Sequence, residues 1–332
     1  MGYDPAVMSA ALNRLRLEKD RREARRENLI REVYGKLPRV EQIDRELQST
    51  AARIVLIAFE SEGDPGEALR ELEQRSLELQ RERTALLAGA GYHSDCLDEA
   101  PACTVCQDRG YLSDGSPCQC LRRYYTQEQN KRLSKLLDLG GQSFETFSLD
   151  WYDPQVWPEY GCSPLENMRK VRDICQAYAC RFSRDGMNLL FTGAPGLGKT
   201  FLSACIARVV SEKGFSVVYD TAGNIFQQFE SRKFGRDDPY GEDPDQEVNR
   251  YLNCDLLIMD DVGTEMTTSF VRSAFYQIIN GRLTAHKKTV LSTNLLVNQI
   301  GDVYGEALMS RIRGEYQILR FFGKDIRLMK RG

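Results

Sequence analysis

The chain of 332 residues is longer than most single domains, and its hydrophobic content of 42% can form the cores of two folded units. Its longest apolar run, IVLIAF at 54–59, is too short for a bilayer span of roughly 20 residues, and no signal-peptide pattern begins the chain, which predicts a cytoplasmic protein without a membrane partner. A net charge of −3 excludes a protein that coats nucleic acid non-specifically, so any nucleic-acid site must be a local surface.

Residues 1–92 are predicted to form a helical N-terminal region. Asp4-Pro5 and Asp64-Pro65 each place an N-cap residue before a proline at the first helical position. Between them, five apolar residues and one threonine recur at alternating intervals of three and four, which is the spacing of a coiled-coil seam; they are Val40, Ile43, Leu47, Thr50, Ile54 and Ile57. The highly charged stretch 13–32 is typical of a solvated helix face, although it could also dock a partner or touch DNA.

Four closely spaced cysteines follow, and they predict a zinc-binding segment over residues 93–125. Two pairs, Cys103-x2-Cys106 and Cys118-x-Cys120, flank an eleven-residue, glycine-containing turn. Tetrahedral Zn²⁺ accepts four thiolates from two such pairs, and disulfides are rare in the cytoplasm. A thiol redox pair and a group of core thiols are the alternatives. The redox alternative requires a CxxC at the start of a helix in a βαβ unit, and no such unit surrounds these cysteines.

Residues 126–163 are predicted to be a linker, and residues 164–332 an α/β domain. In the second segment helices alternate with short apolar strands, among them NLLFTG, FSVVYD, DLLIMDD and KTVLSTN, and a last helix leads to YQILRF. Such alternation is typical of a parallel sheet covered by helices on both faces. Five further cysteines lie in or beside apolar patterns and are expected in the core: Cys162, Cys175, Cys180, Cys205 and Cys254.

A phosphate-binding loop follows the first of these strands. The sequence GAPGLGKT at 193–200 matches GxxxxGK[ST] between an apolar strand and a helix. In this motif backbone N–H groups and the helix N-terminus surround the phosphates, the lysine reaches the β and γ phosphates, and the threonine holds Mg²⁺. We therefore predict that Mg²⁺ is held by Thr200 and Asp260. The residues predicted to contact ATP are Gly193, Ala194, Pro195, Gly196, Leu197, Gly198, Lys199, Thr200, Phe201 and Asp260.

Acidic and amide side chains follow two later strands. LLIMDDVG delivers Asp260 and Asp261 to the carboxyl edge of the sheet, where ligands bind in such folds. Asp260 is expected to bind Mg²⁺, and Asp261 to orient or deprotonate the attacking water. Asn294, at the end of VLSTN, can hold that water near the γ phosphate, or it can cap the next helix.

These motifs, in this order, resemble those of the AAA+ P-loop NTPases. The stretches LLIMDDVGTE, STN and ALMSRIRGEYQILRFFGKDIR resemble the bacterial helicase loaders of the DnaC and DnaI type, a branch that includes IstB-like transposition helpers. The resemblance covers roughly residues 160–332. It implies that Arg311 is an arginine finger acting on a neighbouring subunit's ATP, with Arg313 close by, and that Arg327 contacts nucleotide in its own subunit. The cysteine segment also resembles a zinc-binding segment of DnaI-like loaders.

Two departures from the family pattern affect the expected activity. Many AAA+ proteins have glutamate where this chain has Asp261, which is one methylene shorter and suggests slow hydrolysis stimulated by DNA or assembly. Only five residues follow Arg327, so we expect no helix-turn-helix of the kind that an origin-binding initiator would use.

The resemblance implies an ATP-dependent loader of a hexameric replicative helicase onto single-stranded DNA, which self-associates through its AAA+ domain and uses ATP, Mg²⁺ and Zn²⁺. An IstB-like transposition helper and a nucleotide-gated adaptor with negligible hydrolysis are the alternatives. Transposition helpers usually have a shorter N-terminal extension, so the coil and the cysteine segment favour a loader.

Overall fold

The structure is a computed structural model that describes residues 3–60, 66–98, 100–137, 139, 141–183, 185–235 and 243–329, with the backbone alone for 51–60 and 66–69. The predicted helix start at Asp64-Pro65 lies outside the described residues, and so do the side chains of Ile54 and Ile57. Within the described ranges, no helix is both long enough and apolar enough to cross a bilayer.

The chain divides into two compact units, one of residues 13–118 and the other of residues 1–12 with 119–332. These units do not coincide with the predicted segments 1–92, 93–125, 126–163 and 164–332. The first residues join the larger unit because the Asp4 amide donates a hydrogen bond to Tyr125 Oη at 3.0 Å, and the Asp4 carboxylate lies 3.6 Å from Arg132 Nη1.

Three helices precede the cysteine segment: α1 (Pro5–Lys36), α2 (Pro38–Glu60) and α3 (Gly66–Gly89). Asp4 caps α1 as predicted, since its Oδ1 accepts hydrogen bonds from the amides of Ala6 and Val7. Helices α2 and α3 pack against each other, and the side chains of Val40, Ile43 and Leu79 are buried. Val40 and Ile43 belong to the predicted seam, so the spacing of these residues correctly predicted a buried face of α2.

The larger unit is an α/β domain. Its elements are α4 (Gln119–Leu133), α5 (Pro164–Cys180), β1 (Asn188–Thr192), α6 (Lys199–Glu212), β2 (Val217–Thr221), α7 (Ala222–Phe234), α8 (Pro244–Asn253), β3 (Leu256–Val262), α9 (Ser269–Thr284), β4 (Lys288–Thr293), α10 (Val297–Tyr304), α11 (Glu306–Glu315), β5 (Tyr316–Arg320) and α12 (Ile326–Met329). The strands form one parallel sheet in the order β2-β3-β4-β1-β5.

Helices cover both faces of this sheet. Alternate strand residues point to opposite faces, so Leu189 and Phe191 pack in one core with residues of α5 and α6, whereas Leu190 packs in a second core with residues of α7, α9 and α11. Helix α5 begins with a capping box of Ser163 and Glu166. The predicted P-loop fold, a parallel sheet flanked by helices, is confirmed, and the carboxyl ends of β1, β3 and β4 meet at one edge.

Candidate nucleotide and metal sites

The phosphate loop connects β1 to α6, and its backbone requires glycine at two tightly packed positions. Gly196 has φ 75°, and a Cβ there would lie 1.8 Å from Asp325 Oδ1. Gly198 has φ 91°, and a Cβ there would lie 2.9 Å from Tyr152 Oη. A side chain at either position would meet both an unfavourable backbone conformation and a collision.

The ammonium group of Lys199 lies inside this loop. Its Nζ donates hydrogen bonds to Gly193 O at 2.6 Å, Ala194 O at 2.8 Å and Asn294 Oδ1 at 2.8 Å. Burial lowers the pKa of Lys199 to about 8, although Asp260 and Asp261 oppose this shift. The bond to Asn294 thus connects the phosphate loop to the end of β4. Lys199 and Asn294 are 95 positions apart in the sequence.

Asp260 is buried at the end of β3 and accepts several hydrogen bonds. Its Oδ2 accepts from Thr200 Oγ1 at 2.9 Å and from Tyr219 Oη at 2.8 Å, and its Oδ1 accepts from the amide of Asp261 at 2.9 Å. Mg²⁺ prefers oxygen ligands, and the hydroxyl of Thr200 and the carboxylate of Asp260 lie in contact. These two residues therefore fit the expected metal. Tyr219 was not predicted, because its position in an apolar strand gave no polar signal.

Asp261 is turned out of the strand that carries it. The residue has φ 54°, and the pairing of β3 with β4 shifts register between Met259 and Val262. Asp261 is exposed, whereas its neighbours in β3 are buried. Although the residue is exposed, partial desolvation of its carboxyl group at the sheet edge, together with the charge of Asp260, raises the pKa of Asp261, against the lowering effect of Lys199 and Arg327.

A cavity of about 480 Å³ lies against the phosphate loop, and Asp261, Asn294 and Arg327 also line it. Its other wall is the segment 142–152, which includes Phe147, Trp151 and Tyr152. Tyr152 Oη donates a hydrogen bond to Leu197 O at 2.9 Å, and the rings of Phe147 and Phe201 lie 5.3 Å apart. The sequence had indicated only an irregular aromatic segment here, and those aromatic residues were the available signal.

Arg311 and Arg313, unlike Arg327, are not among the described residues that line the cavity beside the phosphate loop. Arg311 Nε donates to Asn280 Oδ1 at 2.8 Å, and its guanidinium lies 4.6 Å from the ring centre of Tyr276, both on α9. Arg313 lines a second cavity of about 700 Å³ with Gly193, Ala194 and Asn294. Within its own chain, Arg311 therefore contacts α9 rather than the cavity beside the phosphate loop.

The four predicted zinc ligands come together. The sulfur atoms of Cys103, Cys106, Cys118 and Cys120 all lie within 4.8 Å of one another. Hydrogen bonds from the backbone of Cys106 and Val105 help to lower the pKa of Cys103 to about 7. The Gly110 amide donates a hydrogen bond to Cys106 Sγ at 3.3 Å. Four thiols with backbone donors to sulfur fit a tetrahedral zinc ion.

The remaining cysteines show a mixture of environments. Cys175, Cys205 and Cys254 are buried, as expected for core residues. The expectation was wrong for Cys180, which is exposed at the last position of α5, next to the C-cap residue Arg181, and Cys162 is only partly buried.

The parallel sheet, the phosphate loop and the carboxylates of β3 define a P-loop protein of the ATP-binding class. Residues 159–330, more than half of the chain, match the sequence model of the family described as IstB-like ATP binding protein. The chain belongs to this family.

Several curated relatives are named replicative helicase loader DnaC. The Escherichia coli K12 protein is 27% identical over 148 residues, and that of Buchnera aphidicola subsp. Baizongia pistaciae is 26% identical over the same length; each match covers 45% of this chain and 59% of the relative. This chain thus spans about three-fifths of the length of these loaders. A crystal structure of the DnaC helicase loader is 22% identical, with a TM-score of 0.43, over 54% of this chain and 98% of that chain.

Proposed function

We propose that this protein uses ATP to load a hexameric replicative DNA helicase onto single-stranded DNA in the cytoplasm. The observation that carries the proposal is the meeting of Lys199, Asp260, Asp261 and Asn294 at one sheet edge, in a chain similar to proteins named as helicase loaders. The residues before this domain, with their helices and cysteine cluster, would bind the helicase.

In ATP binding, backbone N–H groups of the loop surround the phosphates, and Lys199 exchanges its carbonyl partners for phosphate oxygens. Thr200 and Asp260 would hold Mg²⁺, which neutralises phosphate charge when bound. The aromatic wall at 142–152 is suited to the base, because flat rings stack favourably with aromatic side chains.

In hydrolysis, Asp261 would orient the attacking water and accept its proton, and Asn294 would hold the water in line with the γ phosphate. The exposed carboxylate of Asp261 supports this role, because it is free to reach a water while Asp260 is engaged by Thr200 and Tyr219. Arg327 would contact the nucleotide of its own subunit, a role that its position in the cavity supports.

Self-association would complete the site. Arg311 would act on the ATP of a neighbouring subunit, and its contacts with Asn280 and Tyr276 would then have to break or rearrange. A finger supplied by a neighbour makes hydrolysis depend on assembly, which suits a switch that releases the helicase after it has been placed on DNA.

A second candidate is a transposition helper that assembles on duplex DNA, favoured by the family description of the matched region. To distinguish the candidates, the full-length protein is mixed with the replicative helicase of the source cell, with ADP or with ATP, and the complex is isolated. The loader proposal expects a nucleotide-sensitive complex and ATP turnover stimulated by single-stranded DNA. Absence of a complex, with turnover stimulated by duplex DNA alone, would favour the transposition helper.

A further inference from the structure

Asp108 occupies an unusual position in the turn between the two cysteine pairs. Its backbone is left-handed, with φ 59°, and only 6% of its side chain is exposed. The preceding residue, Gln107, is also left-handed, with φ 49°. Two consecutive non-glycine residues in this conformation are unfavourable unless surrounding contacts hold them in place.

The carboxylate of Asp108 makes those contacts. Its Oδ1 accepts a hydrogen bond from the amide of Cys103 at 3.0 Å, and its Oδ2 accepts from the amide of Ala102 at 3.1 Å. These bonds close the turn that carries the first cysteine pair. One of the donors belongs to a zinc ligand itself, so the carboxylate determines where the ligand's backbone lies.

The same carboxylate also contacts a helix that is distant in sequence. Arg22 Nη2, on α1, donates a hydrogen bond to Asp108 Oδ2 at 2.5 Å. A carboxylate this buried requires a counter-charge, since an unpaired buried charge is strongly destabilising. The turn that holds the ligands is therefore attached to α1 through a charge-assisted hydrogen bond.

We propose that Asp108 is a positioning residue that prearranges the cysteine cluster for zinc and couples metal binding to the packing of α1 through Arg22. This inference rests on the zinc site of the proposed function. Residues that hold metal ligands in place from outside typically change metal affinity by about 10- to 100-fold when they are replaced. Loss of zinc would in turn loosen the turn, and with it the segment of α1 around Arg22.

Zinc affinity of the full-length protein tests the proposal, measured by competition with a chromogenic chelator after elemental analysis of the metal content. Asp108→Gly keeps the left-handed backbone accessible but removes the carboxylate, and we expect zinc affinity to fall 10- to 100-fold. Asp108→Asn keeps an amide acceptor but loses the charge that pairs with Arg22. Asp108→Asn and Arg22→Gln should each lower zinc affinity by a smaller factor than Asp108→Gly does. The double variant should lower it by less than the product of the two separate factors, because both changes remove the same ion pair.

Asp114→Asn is the matched control, because Asp114 lies in the same turn, is exposed, and accepts a hydrogen bond from the amide of Ser116, two residues away. It should bind zinc like the parent. A second readout is hydrogen exchange in α1: zinc removal should accelerate exchange near residue 22 in the parent, and less so in Arg22→Gln, in which the contact is already lost.

The outcomes distinguish the zinc site itself from the role of Asp108. A parent protein that binds no zinc overturns both the zinc site and the role of Asp108. A parent with one zinc ion, and an Asp108→Gly variant that binds it within threefold of the parent, overturns the role of Asp108 while the zinc site stands. Circular dichroism of each variant verifies that its helices are intact.

Discussion

Lys199 makes three hydrogen bonds to oxygen atoms of its own chain, at a position where a phosphate is expected. Burial also brings its pKa to about 8, so a substantial fraction of the side chain is neutral in mildly alkaline solution. An incoming phosphate favours the charged form, because opposite charges at contact distance stabilise each other. Nucleotide binding should therefore raise the pKa of this lysine.

This shift predicts a pH-dependent affinity for ATP. Above pH 8 the free protein has lost the Lys199 proton that the complex retains, so binding takes up a proton and affinity falls by up to about tenfold per pH unit. Calorimetric titration between pH 7 and 9.5, in buffers of different ionisation enthalpy, measures both effects. Lys199→Arg is the control, because arginine stays charged throughout this range. Affinity that falls equally steeply in parent and control would contradict the assignment.

Asp261 offers a test of the hydrolytic step alone. Asp261→Asn should keep ATP affinity within about threefold, because Thr200 and Asp260 remain, while turnover falls by at least about 100-fold through loss of the base. Asp261→Glu restores the carboxylate on a longer side chain and should turn over at least as fast as the parent. Nucleotide binding and single-turnover hydrolysis are measured separately. If Asp261→Asn failed to bind ATP, the roles of Asp260 and Asp261 would have to be exchanged.

At the scale of elements, the short helix α12 is attached directly to the phosphate loop. The Ile326 amide donates to Gly196 O at 3.0 Å, and Asp325 lies against the Cα of Gly196 while its Oδ1 accepts from the Arg327 amide at 2.8 Å. The conformation of the loop and the position of Arg327 are therefore linked.

A pair of glycine substitutions tests this link. Gly196→Ala would drive its methyl group into Asp325, and should displace α12 and weaken ATP binding. Gly214→Ala introduces alanine at a similar φ of 85° with no atom within 4 Å, so it should cost only the backbone strain of about 1–2 kcal/mol. Thermal unfolding and nucleotide binding of both variants provide the comparison. Equal ATP affinity in the two variants would show that contact with Asp325 does not matter.

The features that could be predicted from the sequence depend on local spacing. The strands, the position of the phosphate loop between β1 and α6, and the meeting of the four cysteines agree with the prediction, because each is defined by residues within about twenty positions of one another. Binding of ATP and zinc at these positions stays a prediction. Contacts between distant residues had no such signal. The bond between Arg22 and Asp108 spans 86 positions, and that between Tyr219 and Asp260 joins adjacent strands whose pairing was not known beforehand.

At the scale of the whole molecule, the role of Arg311 is a prediction about assembly. Arg311→Ala should bind ATP like the parent but fail to hydrolyse it, because the affected site belongs to a neighbour. Lys199→Ala has an intact Arg311 but a defective loop. Mixtures of the two variants should regain part of the ATP turnover at interfaces that combine an intact loop with an intact Arg311. Mixtures that co-assemble by sizing yet show no recovery would assign Arg311 to its own subunit.

The most direct test of the loader function is helicase loading onto a circular single strand that carries an annealed, labelled oligonucleotide. A closed circle has no end to thread through a ring, so release of the oligonucleotide requires that the helicase be opened and placed around the strand. With the replicative helicase of the source cell, we predict rapid release with the parent protein and ATP, and little release with Lys199→Ala. Release that is equally fast without this protein, or with Lys199→Ala in its place, would contradict the proposed function.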